Sequence, residues 1–153
     1  MDRFEAFTGS ILELNRYLQK IKDMEMKPFG LRAGHVMCLY YLGKNPGGLT
    51  ATELTEACRE DKAAISRSVN YLVERKLIRG DFMEHKRSYR TKLYLTDSGK
   101  ELVETIDRRI DAAMTQGGSG LSEAQRKNFY EAMEIIIKNL AQYVEAQEGK
   151  LSC

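Results

Sequence analysis

Lys62, Ala63, Ser66, Arg67 and Asn70 follow one another at steps of one and three residues, which gathers them on one side of a helix. Asn70 carries the paired donor and acceptor that match an adenine edge, and Arg67 a guanidinium that reaches guanine or phosphate. The small Ala63 and Ser66 let a backbone approach closely. Further on, Lys86, Arg87 and Arg90 surround Tyr89, a cluster suited to clamping phosphates or entering a minor groove. Each group also has a plainer reading, as a solvated helix face and a charged loop. The elements that position them decide between the two.

Those elements run from Thr50 to Lys100. Thr50 with Glu53 three residues later forms a capping box at the start of one helix. Asp61 is placed to cap the next, whose buried face is Ile65, Val69, Leu72 and Val73. After Leu77 the helical period fails. Ile78 to Phe82 and Thr91 to Thr96 alternate as two strands of a hairpin, its tip carrying His85, Lys86, Arg87 and Arg90. Thr96 or Asp97 then caps a helix expected to end near Met114. Two short helices, a basic hairpin and a capped helix make a winged helix-turn-helix, which sets one helix in a DNA groove.

The ends of the chain are helical in pattern. Phe4, Phe7, Ile11, Leu14, Leu18 and Ile21 form an apolar stripe on a first helix that should stop before Pro28 and Gly30. A second helix is expected from about Ala33 to Leu42. Gly117–Gly120 breaks the chain, and Ser122 with Gln125 opens a last helix whose stripe is Phe129, Met133, Ile136, Ile137, Leu140 and Val144. A module of about 50 residues has limited surface for two long helices, so their remaining apolar area points to pairing across a two-fold axis. The expected fold is mainly α with a small β-wing, a winged helix-turn-helix flanked by N- and C-terminal dimerisation helices. Its parts are a dimerisation helix over 1–30, the DNA-binding domain over 31–96, and dimerisation helices over 97–153.

Charge agrees with this division. The whole chain of 153 residues carries a formal net charge of only +2. Between Arg59 and Lys92, however, ten basic residues face five acidic ones, a local +5 that leaves the remainder at −3. A concentrated basic segment is the footprint of a polyanion partner. Other classes fit poorly. The chain has two histidines, His35 and His85, and no Ser-His-acid order, metal-ligand cluster or glycine-rich phosphate loop, so neither an enzyme nor a cofactor is expected. Glu53 and Glu56 read as capping and solvated carboxylates. The opening MDRFEAF lacks a signal-peptide pattern and no apolar run reaches membrane-spanning length, so a cytoplasmic, non-membrane protein is expected. Cys38, Cys58 and Cys153 are odd in number and form no CxxC, which fits a reducing compartment.

LTATELTEACREDKAAISRSVNYLVERKLIRG and LYLTDSGKEL resemble the two DNA-binding helices, the second wing strand and the following helix start of MarR-type (multiple antibiotic resistance regulator) transcription factors. The resemblance extends over nearly the whole chain. It implies a homodimer, mostly helical with a wing on each protomer, binding double-stranded DNA at a pseudo-palindromic operator. It carries the recognition positions onto Lys62, Ala63, Ala64, Ser66, Arg67 and Asn70, with Lys86, Arg87 and Arg90 in the wing. One departure stands out. Many members have an Asp-Arg-Arg run in the wing where this chain reads EHKRSYRTK, so the Asp that orients a wing Arg has no match.

The resemblance further implies a repressor released by a small aromatic or anionic effector bound between the dimer helices and the DNA module. Candidate lining residues are Met24, Met26, Phe29, His35, Met37 and Tyr40, where the first helix meets the second. They read equally well as core. Two alternatives stay open. One is redox sensing at Cys58, whose neighbour Arg59 would favour a thiolate, although redox members of the family generally use a cysteine in the first helix, where this chain has none. The other is a winged-helix protein-interaction module without DNA binding.

Overall fold

The carboxylate of Asp2 accepts the amide of Phe4 and starts helix α1 (Arg3–Met26). The computed structural model describes residues 2–81 and 90–151, with the backbone alone at 151. The backbone divides into two units, 1–113 and 114–153.

In the first unit α1 stops where the sequence requires. Pro28 sits in a short 3-10 turn (Lys27–Phe29), and Gly30 closes it at φ 68°, a conformation that favours glycine. Met26 is the one buried residue of α1. The expected stripe is half-buried at Ile11 and otherwise exposed, from 37% at Ile21 to 73% at Phe4. The chain leaves that apolar area exposed, which costs free energy unless something covers it.

Helix α2 (Ala33–Lys44) runs two residues past the expected end and buries Val36, Cys38, Leu39 and Leu42. The Asp23 carboxylate accepts the Ala33 amide at 2.8 Å, fixing α1 to the start of α2. Helix α3 (Ala51–Cys58) begins with the expected capping box, Thr50 and Glu53 bonding each other's amides at 2.7 and 3.2 Å. Helix α4 (Lys62–Glu74) begins with the Ala64 amide donating to Asp61 at 2.8 Å. Its core face is Ile65, Ser68, Val69 and Leu72, and the expected Val73 is only half-buried. Ser68 takes an inner position beside Gly34 of α2, where a Cβ would stand at an ordinary contact distance of 3.7 Å from the Ser68 Oγ.

Strands β1 (Ile78–Gly80) and β2 (Leu93–Leu95) pair antiparallel, Ile78 opposite Leu95 and Gly80 opposite Leu93. Strand β2 is shorter than expected, and β1 ends at Gly80, with the expected Phe82 outside the described residues. Leu49 adds a bridge, exchanging both backbone hydrogen bonds with Leu93 at 3.1 and 2.8 Å. Thr96 has left the strand to cap helix α5 (Asp97–Gly117): its Oγ1 accepts the Gly99 amide at 3.1 Å and donates to the Lys76 carbonyl at 2.7 Å. Gly99, Val103 and Ile106 of α5 are buried, and Val103 and Ile106 join the core made by α2, α3, α4 and the strands. The helix continues three residues past the expected Met114.

In the second unit a turn with Gly120 at φ 84° precedes helix α6 (Glu123–Leu151). Ser122 and Gln125 form the expected capping box at 2.9 and 3.2 Å. Phe129, Ile137, Leu140 and Val144 are 48 to 60% exposed, while Met133 and Ile136 are half-buried. Among the described residues no helix is long and apolar enough to cross a membrane.

Candidate nucleic-acid interface

The core face of α4 dictates what the opposite face can do. At 3.6 residues per turn, Lys62, Ala63, Ser66, Arg67 and Asn70 span an arc of about 140°, and all five are exposed. Ala64 lies at the margin of that arc and is half-buried. The structure therefore brings five of the six expected recognition residues onto one open surface. Asp61, by accepting the Ala64 amide, fixes the end of α4 at which that surface begins.

The turn before α4 is tight for a reason other than glycine. Arg59 occupies the left-handed region at φ 54°, and the amides of Arg59 and Glu60 turn back to Glu56 and Thr55 at 3.3 and 3.4 Å. Lys76 takes the same conformation after α4 at φ 58°. There the Leu77 amide returns to the Leu72 carbonyl at 3.0 Å, a Schellman closure.

The second half of α4 is anchored by residues that sequence reasoning counted only as charge or did not single out. The Tyr71 hydroxyl donates to the Gly30 carbonyl at 2.6 Å. The Arg75 guanidinium reaches the Phe29 carbonyl at 3.0 Å and the Tyr71 oxygen at 3.1 Å. Arg75, one of the ten cations of the basic segment, thus holds α4 to the junction of α1 and α2. Arg79 lies 3.6 Å from Asp81 and over the Tyr94 ring, and Lys92 donates to the Gly47 carbonyl at 3.4 Å. In the wing, Arg90 is exposed, whereas Lys86, Arg87 and the expected hairpin tip lie outside the described residues.

The six effector candidates do not gather in one place. Met26 is core, Met24 is 68% exposed, and His35, Met37 and Tyr40 are half-buried. Phe29 alone of them lines an open cavity of about 550 Å³, with Arg75, Leu77, Glu101, Leu102 and Thr105 among its other walls. The Arg109 guanidinium stands over the Phe29 ring and pairs with Glu25 of α1. His35 has a structural post: its Nδ1 accepts the Arg32 amide at 3.0 Å. Burial, then Arg32 and Arg75, hold its pKa below the usual value.

The cysteines differ from one another. Cys38 is fully buried and Cys58 half-buried, with their sulfurs 4.0 Å apart. Their hydrogen bond pulls the Cys58 thiol down and pushes the Cys38 thiol up. Burial opposes the first shift and adds to the second, and Lys22 of α1 supplies the cation that favours a Cys58 thiolate. Cys153 lies outside the described residues. Among the described residues no group of three His, Cys, Asp or Glu could hold a metal ion.

Residues 29–88 match the MarR family model. Solved structures agree over nearly the whole chain. A MarR transcriptional regulator from Methanosarcina mazei Go1 is 22% identical with a TM-score of 0.78, the match covering 93% of each chain. Staphylococcus aureus MepR, solved as a DNA complex, is 20% identical with a TM-score of 0.79, covering 91% of this chain and 99% of that one. Staphylococcus aureus MarR, in complex with salicylate and kanamycin, is 19% identical with a TM-score of 0.77, covering 90% and 92%. At these identities the likeness establishes the fold. No curated protein matches the chain.

Proposed function

We propose that the chain, whose residues 29–88 match the MarR family model, is a homodimeric, sequence-specific DNA-binding transcriptional regulator. The observation that carries the proposal is the open face of α4. Lys62, Ala63, Ser66, Arg67 and Asn70 stand together in solvent on a helix whose other side is core. Asn70 and Arg67 read base edges, Lys62 supplies positive charge toward phosphate, and the two small residues let the helix enter the major groove. Ala64 takes the margin of this surface, and Lys86, Arg87 and Arg90 contact the backbone or minor groove from the wing. MepR, which shares the fold, has been solved on DNA. A winged helix used only for protein contacts has no need of this polar, base-reading face.

Dimerisation explains the exposed stripes. Segments 1–30 and 97–153 bury them against a second copy, and 31–96 is the DNA-binding domain. Two copies of α4 then meet successive half-sites, about 34 Å apart on one face of B-form DNA. The regulator acts as a repressor released by a small aromatic or anionic effector. Support comes from the complex of Staphylococcus aureus MarR with salicylate and kanamycin and from the cavity beside Phe29. Met24, Met26, His35, Met37 and Tyr40 stand outside the walls of that cavity, so Phe29 is the expected residue that carries the proposed effector site. No enzymatic step is assigned to the chain.

The test is selection of genomic fragments by the purified protein, followed by sequencing of what is retained. Enrichment of fragments sharing an inverted repeat is expected. Retention of all fragments in equal measure, or of none in low-salt buffer, overturns the proposal.

A further inference from the structure

Cys38 lies in the middle of α2, and Cys58 is the last residue of α3. Twenty residues separate them in sequence, yet their sulfurs are in contact at 4.0 Å. We propose that Cys38 and Cys58 form a dithiol site that hydroperoxides convert into a disulfide within one protomer.

The two thiols differ in a way that assigns their roles. Cys58 is half-buried, so a small peroxide reaches it, whereas Cys38 is sealed in the core. Cys38 donates a hydrogen bond that favours the Cys58 thiolate, and Lys22 adds to the effect against the opposing pull of burial and Glu60. Cys58 therefore attacks first. Its thiolate takes the outer oxygen of the hydroperoxide as the O–O bond breaks, and the departing alkoxide accepts the proton that Cys58 gave up. The sulfur is left as a sulfenic acid. Cys38 then attacks that sulfur; the S–S bond forms, the S–O bond breaks, and hydroxide leaves with the Cys38 proton as water. Two thiols lose two electrons, and one hydroperoxide becomes one alcohol and one water.

Forming the bond requires movement, because a disulfide holds its sulfurs at about 2.05 Å, roughly 2 Å closer than they stand. The movement falls on α3. That helix has eight residues and ends at Arg59, a non-glycine residue at φ 54°. The amides just past it, of Arg59 and Glu60, close its end with bonds of 3.3 and 3.4 Å, long beside the usual value of about 2.9 Å. Cys38, by contrast, is flanked in mid-helix by buried Val36 and Leu39. Three residues past Cys58 stands Asp61, the cap that seats α4. Oxidation draws the end of α3 toward α2 and displaces the start of the helix bearing Lys62 and Ala63. On the DNA-binding reading, on which this consequence rests, the oxidised protein holds its operator more weakly.

The experiment uses the full chain with Cys153→Ser, so that a terminal thiol cannot confuse the products. Reduced protein is treated with hydrogen peroxide, alkylated, digested and mapped by mass spectrometry. A linked pair of peptides carrying Cys38 and Cys58, reversed by dithiothreitol, is expected. In Cys38→Ala, which leaves an apolar residue in the core, Cys58 should stop at a sulfenic acid trapped by dimedone. In Cys58→Ser, Cys38 should stay reduced. Two unreacted thiols, or oxidation of Cys58 with Cys38 still free in the parent protein, overturns the dithiol. Affinity for a selected fragment should fall about tenfold on oxidation of the parent, within the usual range of coupling between sites, and stay constant in Cys38→Ala. A mapped disulfide with unchanged affinity overturns the regulatory consequence. A reduced protein that holds no fragment counts against DNA binding, and the disulfide map alone then decides the dithiol.

Discussion

His35 of α2 lies flat against Tyr71 of α4, their ring centroids 4.5 Å apart and their planes within 2° of parallel. The stack belongs to a longer chain of contacts. His35 accepts the Arg32 amide, Tyr71 donates to the Gly30 carbonyl, and Arg75 ties Tyr71 to the Phe29 carbonyl. The C-terminal half of α4 is thereby fastened to the segment joining α1 and α2, while its N-terminal half presents Lys62, Ala63, Ser66 and Arg67 to solvent. Arg75 and Phe29 also line the open cavity, so a ligand there would touch the same fastening.

This fastening is sensitive to acid through His35. Burial first, then Arg32 and Arg75, lower its pKa in the folded chain. The unfolded chain, with a value near the ordinary 6.5, takes the proton more readily. The stabilisation from a neutral His35 is therefore complete above about pH 6.5 and is lost as the pH falls through the lowered folded value. Protonation also removes the Nδ1 acceptor from the Arg32 amide. The urea midpoint of the parent should fall between about pH 7.5 and pH 5.5, with a shallower fall in His35→Gln. Parallel profiles for the two proteins would exclude His35 as the cause.

Tyr71→Phe keeps the stacked ring and deletes one hydroxyl. The Gly30 carbonyl and one Arg75 nitrogen lose that partner and turn to water, since the contact is exposed. The loss should be about 1 kcal/mol, read as a lower urea midpoint at an unchanged slope. A cost near zero would mean that the 2.6 Å bond is replaced by solvent without penalty.

Local signals made much of this fold legible. The capping pairs Thr50 with Glu53 and Ser122 with Gln125 are three residues apart, and each met as its spacing required. The polar face of α4 followed from the apolar face opposite. What stayed hidden was tertiary. Leu49 shows no alternating run of its own, because its bridge to Leu93 is set by a partner 44 residues away. A count of charges could not say that Arg75 serves a carbonyl in the chain. The Ser68–Gly34 crossing and the meeting of Cys38 with Cys58 depend on how α2 lies against its neighbours, which no spacing records. Arg59 and Lys76 take left-handed turns without the glycine that would mark them.

Gly99 marks a close approach that any side chain would block. A Cβ there would stand 2.0 Å from the Leu77 carbonyl oxygen, and that oxygen also meets the hydroxyl of Thr96, the cap of α5. Backbone cannot yield as a flexible side chain can, so Gly99→Ala must move α5 away from the start of the wing. The expected cost is about 2 kcal/mol or more, measured by thermal or urea unfolding. Gly47→Ala is the control, because a Cβ there meets nothing within 4 Å. Equal stability of the two variants would contradict the packing described.

If a second copy covers the stripes of α1 and α6, a charge within them should separate the protomers rather than unfold them. Leu18 and Leu140 are 44% and 54% exposed, so a carboxylate at either is hydrated in a lone protomer and buried in a dimer. Leu18→Glu and Leu140→Glu together should sediment as a monomer and keep the helical circular dichroism of the parent. A parent protein already monomeric at micromolar concentration would rule out the dimer.

Asn70 and Arg90 should fail in different ways on DNA. Asn70, on the open face of α4, offers a fixed donor and acceptor to one base pair. Asn70→Ala should therefore lose about 1–3 kcal/mol of discrimination at that position and little affinity for random sequence. Arg90 is exposed three residues before strand β2, and on the DNA-binding reading its guanidinium would meet phosphate whatever the sequence. Arg90→Ala should weaken operator and random DNA alike, and should reduce the salt dependence of binding by about one unit of slope, the signature of one fewer phosphate contact. Titrations of both variants on operator and random duplex, each across a range of salt, separate the effects. Equal losses on both duplexes for both variants would remove the division between a reading helix and a clamping wing.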